Sequence, residues 1–163
     1  MMRYWPHISE WLGDWWTWYK PTEGELCLGL AFGVIAFLGA GVGYETLSYL
    51  AHDHSTAFVP TAYEAWVIFG AVIGATGALY SLRGQFGHRG GAGALTAIKG
   101  ALGVTFLGSL IGGTLAMPVF GTMFGPFAFM MLFVTKPTVG LMWAGSLLAA
   151  HILMRGWRIE RDD

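Results

Sequence analysis

The sequence predicts an all-α membrane protein: four transmembrane helices packed through small-xxx-small faces, preceded by an amphipathic, Trp-rich interfacial helix. Three observations carry that prediction. No charged side chain occurs between Gly100 and Thr135, and Leu26–Tyr44, Ala65–Leu82 and Thr138–Met154 are nearly as apolar. The 163 residues are 55% hydrophobic and 12% charged, about half the charged fraction of a soluble domain. Many of the 25 glycines recur four residues apart inside the apolar stretches, the spacing that lets helix backbones approach closely in lipid.

The first element is predicted within residues 1–21. Ile8, Trp11, Leu12, Trp15, Trp16 and Tyr19 recur at helical spacing, with Glu10, Asp14 and Thr17 on the other face. Pro6 suits a first turn and Pro21 ends the helix. Trp11, Trp15 and Trp16 form an aromatic stripe suited to the headgroup level. The polar face carries acids, which anionic lipid repels. The tryptophans therefore anchor the helix by themselves, or its acidic face docks on a basic partner. The segment lacks the continuous apolar core of a signal peptide and is expected to remain in the mature protein.

Residues 22–163 are predicted to form the transmembrane domain. The spans run about 25–51, 62–82, 93–117 and 137–155, each long enough for about 30 Å of hydrocarbon. Gly29 and Gly33 mark a small-residue face on the first span, Gly70 and Gly74 on the second, and Gly108 and Gly112 on the third. Thr61 is placed to cap the second span. Residues 118–136 are apolar and roughly long enough for a fifth span. Pro118, Gly121, Gly125 and Pro126 punctuate them, and they are read as a hydrophobic outer loop. Bare irregular backbone cannot face lipid, so this loop is expected to be covered by its own bundle or by a partner. The run Arg83–Gly91 is glycine-rich and basic, without the features of a phosphate-binding loop, and reads as a flexible turn.

Basic residues set the expected orientation. Arg3, Lys20, Arg83, Arg89, Lys99, Arg155, Arg158 and Arg161 fall on one side and only Lys136 on the other. That distribution predicts a multi-pass protein with both termini cytoplasmic, in the inner membrane of a prokaryote. A net charge of −1 gives no footprint for nucleic acid.

Candidates for chemistry are sparse. His52, His54 and Glu45 are a possible divalent-metal set near the first outer loop, although the same residues suit a solvated polar loop. Glu45 lies inside the end of its span, where an ionisable group is a functional suspect. Met117, Met123, Met130 and Met131 could offer soft ligands to Cu(I), but methionine also fills irregular apolar surface. Cys27 reads as a small apolar residue. His151 has no histidine at matching depth with which to hold a haem. No catalytic constellation appears, and no enzyme activity or cofactor is expected. The two halves form hairpins of the same orientation, which does not suit an inverted-repeat carrier.

The expected function is a non-catalytic accessory or assembly subunit of a larger inner-membrane complex of respiratory or photosynthetic type. A small homo-oligomeric channel or transporter, with Glu45 setting ion preference, is the alternative. Metal handling on the periplasmic side is a weaker one. The expected partners are the lipid bilayer and either a larger membrane complex or further copies of the chain.

Overall fold

The structure is a computed structural model that describes residues 21–51 and 60–162. The tryptophan stripe of Trp11, Trp15 and Trp16 lies outside the described residues, as do His52 and His54. The described residues form five α-helices: α1 (Glu23–Ala51), α2 (Ala62–Leu82), α3 (Gly90–Ala116), α4 (Gly121–Thr135) and α5 (Pro137–Asp162). A 3-10 turn, Arg83–Gln85, follows α2. No strand occurs among the described residues. Four helices, all but α4, are long and apolar enough to cross a membrane. The chain is thus a multi-pass helical protein by its architecture. Large apolar side chains are exposed along the helices, among them Phe37, Phe106, Leu141 and Leu148. In water that would be a liability; in lipid it is the ordinary outer surface.

Local sequence explains where the helices begin. Thr22 and Glu25 exchange bonds: the Thr22 amide donates to the Glu25 carboxylate at 3.1 Å, and the Glu25 amide donates to the Thr22 hydroxyl at 3.3 Å. Thr61 and Glu64 repeat the arrangement at 2.6 and 3.3 Å. Each capping box satisfies two amide donors that the helix itself leaves open. Pro137 opens α5, where its missing N–H costs nothing.

The order of packing is α5–α1–α2–α3–α4, with α1 held between α2 and α5. Glycine decides how close the central helices come. A Cβ on Gly74 would collide with the Gly108 carbonyl oxygen and lie 2.7 Å from the Gly112 amide nitrogen. A Cβ on Gly39 would lie 2.8 Å from the Ala71 carbonyl oxygen. The interfaces α2–α3 and α1–α2 are therefore built on backbone against backbone. Other glycines are not used this way: a Cβ at Gly29, Gly33, Gly77 or Gly145 would meet nothing within 4 Å. Around the glycine contacts, Ile35, Leu38, Leu79, Val104, Leu147 and Met154 form the buried core.

Two expectations are corrected. Residues 118–136 are not an outer loop; most of the segment is α4. Its 15 residues are about 22 Å long, too short to span. The glycines read as breakers are the contact residues. A Cβ on Gly125 would lie 3.1 Å from the Gly113 Cα and would strike the Ser109 carbonyl, and a Cβ on Gly121 would strike the Gly113 carbonyl. Pro126 sits early in the helix, where it removes a single backbone bond. The run after α2 is likewise docked rather than free. Phe86 is buried beneath it, and Arg158 donates to the Phe86 and Gly84 carbonyls, both at 2.6 Å. Gly87 has φ +83°, and a Cβ there would lie 2.6 Å from the Met154 carbonyl oxygen, so no other residue fits.

Gly74→Ala should lower stability by about 3 kcal/mol, the upper range for overpacking, because backbone on both sides cannot yield. Gly77→Ala, on the same helix with open space beside it, should change stability by less than about 0.5 kcal/mol. Unfolding in mixed micelles, followed by circular dichroism, compares the two.

Candidate functional site

The five helices line a partly open cavity of about 150 Å³ in the half of the bundle away from the arginines. Val42, Thr46 and Leu47 of α1 line one side, with Val67 and Ala71 of α2 next to them. Thr105, Gly108 and Ser109 of α3 continue the wall. Phe124, Ala128 and Phe129 of α4 line it next, with Trp143 and Leu147 of α5.

The threonine and serine hydroxyls in the wall already donate to carbonyls. Thr46 donates to the Val42 carbonyl at 2.7 Å, Thr105 to the Ala101 carbonyl at 2.7 Å, and Ser109 to the Phe106 carbonyl at 3.0 Å. The Trp143 indole N–H donates to the Thr105 hydroxyl at 2.7 Å, tying α5 to α3 across the space. A water needs two to four polar partners to reside in a cavity, and these hydroxyls have spent their protons. The cavity suits an acyl chain or an apolar side chain. It offers no ring of charges or carbonyls to an ion.

Glu45 points elsewhere. Its carboxylate pairs with the Lys136 ammonium, although the two are 91 residues apart in sequence. Lys136 closes α4 and immediately precedes α5, so the pair fastens both to α1. Each side chain is about one-third exposed, 35% for one and 30% for the other. A divalent metal at Glu45 would have to displace or tolerate an ammonium ion already in contact. Among the described residues, no three His, Cys, Asp or Glu side chains converge as a metal set.

The remaining candidates separate. Gly70, Gly74, Gly108 and Gly112 meet at the α2–α3 seam, while Gly29 and Gly33 face outward. Met117 lines the cavity, but Met123 is 88% exposed and Met130 59%, so the methionines form no shared site. Cys27 is free and packs near Gly156. His151 accepts a bond from the Gly87 amide at 3.2 Å, a structural contact to the docked turn. Sequence reasoning missed Lys136 as the partner of Glu45. The available signal was a lone cation on the poorly basic side of the chain, together with an acid inside a span of the same side.

No protein-family model, curated protein or solved structure matches this chain.

In a double-mutant cycle of Glu45→Gln and Lys136→Gln, the losses from the two single changes should add up to more than the loss in the double change. The coupling should be about 1 kcal/mol, between an exposed and a buried pair. An additive cycle, measured by denaturation in micelles, would dissolve the pair's structural role.

Proposed function

We propose that this chain is a non-catalytic helical subunit that packs into a larger membrane complex or takes part in its assembly. The observation that carries the reading is the exposed groove of α1. Gly29 and Gly33 lie four residues apart with nothing beside them. Leu26, Leu30 and Phe37 stand exposed around them. α1 is already flanked by α2 and α5, yet this stripe faces away from both. Small residues in lipid gain only by close contact with another helix, through dispersion and shape fit. A partner helix is the occupant that such a groove fits.

The basic residues favour an orientation in which the end carrying Arg83, Arg89, Arg155, Arg158 and Arg161 faces the cytoplasm. A prokaryotic inner membrane is the corresponding location. The Trp11, Trp15 and Trp16 helix, with its acidic face, would supply a second contact at that same side.

The channel reading has less to draw on. The cavity wall is mostly apolar and its threonine and serine hydroxyls already donate to carbonyls, and Glu45 is paired with Lys136. It keeps one route: a pore formed between copies rather than within one.

Native mass spectrometry after gentle extraction from the source membrane tests the proposal. A fixed ratio to a larger complex is expected, and Gly29→Leu with Gly33→Leu should release the chain while its own helix content stays unchanged. A closed homo-oligomer without any partner would transfer the weight to the channel reading. Flux in liposomes should then fall on Glu45→Gln; unchanged flux would exclude Glu45 from conduction.

A further inference from the structure

The end of the bundle opposite α4 holds a second concave site, open to its surroundings, of about 520 Å³. Tyr80, Ser81 and Arg83 line it from the end of α2 and its turn, and Trp157, Arg158 and Arg161 from α5. Three guanidinium groups thus surround one space at the point where two apolar helices reach their ends.

Each arginine is held in place by something other than an acid. Arg83 lies over the Tyr80 ring, its guanidinium carbon 4.5 Å from the ring centre. Arg161 lies over the Trp157 ring at 5.1 Å. Arg158 is tethered by its bonds to the Phe86 and Gly84 carbonyls, which use two of the five N–H groups a guanidinium carries. Among the described residues, neither Arg83 nor Arg161 forms an ion pair. Glu160, beside Arg161 in sequence, is turned to α1, where it accepts the Gly24 amide. Stacking fixes the orientation of a guanidinium while leaving its N–H edge free. The result is a cationic site whose charges are positioned and not neutralised by a described carboxylate.

We propose that Arg83, Arg158 and Arg161 bind the phosphate of an anionic phospholipid headgroup. Guanidinium matches phosphate oxygens with paired, charge-assisted bonds, and basic pockets between transmembrane helices suit acidic lipid heads. Tyr80 and Trp157 are the aromatic types that settle at the level of the headgroups. A zwitterionic choline lipid fits poorly. Its phosphate would find the arginines, but its cation would meet more positive charge, and the two rings that could receive it already carry arginines. The same chemistry would accept free phosphate, so the source is decided by competition.

The test uses the purified full chain in mild detergent, with phosphatidylglycerol, phosphatidylcholine or inorganic phosphate added, and bound lipid counted by native mass spectrometry. Phosphatidylglycerol should be retained in preference to phosphatidylcholine. Loss of both charges in Arg83→Gln with Arg161→Gln should weaken retention about thirtyfold, roughly fivefold per basic residue near the surface. Arg89→Gln, which removes a charge at the same end but outside the pocket, should leave it unchanged. Neither Arg83 nor Arg161 donates to a described protein acceptor, so the double variant breaks no such hydrogen bond; circular dichroism checks its helix content. If that variant unfolds, Arg161→Gln alone should still show about a fivefold loss. Equal retention of the two lipids, or an equal loss in Arg89→Gln, overturns the proposal. Displacement of phosphatidylglycerol by an equal concentration of inorganic phosphate overturns the lipid assignment in favour of a free anion.

Discussion

Close backbone contact between α2 and α3 is the interaction on which this bundle depends. In lipid the tails are as apolar as the side chains, so burying leucine against leucine brings little net gain between helices. What remains is dispersion at short range and the fit of one surface to another. The Gly74 position, with the Gly108 carbonyl and the Gly112 backbone where a side chain would be, provides that fit. Gly39 against Ala71 on the α1–α2 side extends the same principle to the next helix.

The fifth helix shows what this packing leaves unfinished. α3 and α5 stand apart, joined by the Trp143–Thr105 hydrogen bond, and the space between the helices is filled only in part. α4 covers it, seated on α3 by Gly113, Gly121 and Gly125 and fastened at its far end by Lys136 to Glu45. A single ammonium–carboxylate contact thus holds the connection between α4 and α5 against α1. It also accounts for the lone basic residue on that side of the chain. Its charge is matched within the protein, so it weighs little against the concentration of arginines at the other end.

The two ends of the bundle differ in kind. The α4 end is mostly apolar, with a short helix over it and one ion pair, Glu45–Lys136. The arginine end is polar and tied together by specific bonds: Arg158 to the turn carbonyls, Glu160 to the Gly24 amide, and Gly87 fitted against Met154 with a positive φ. The exposed groove of Gly29 and Gly33 on α1 joins this asymmetric body to the proposed role as a packing subunit. In that proposed role one side would be offered to another helix, while the cationic end would meet the membrane surface.

The sequence by itself determined the apolar character, the number of long helices and most of their boundaries, although α3 begins earlier and α5 ends later than expected. Those follow from local properties: runs of apolar residues of spanning length, threonine–glutamate caps such as Thr61 with Glu64, and prolines at helix starts. It did not distinguish glycine as a breaker from glycine as a contact. Gly121 and Gly125 look like loop residues until α3 is seen where their side chains would be, whereas Gly29 and Gly33 have the same spacing and touch nothing. Nor did it reveal that Glu45 meets Lys136, or that Arg83 and Arg161 share a pocket. Only the tertiary structure decided these. Each depends on which helix faces which and at what depth, and helix orientation in lipid is set by long-range shape fit that no local window of residues encodes.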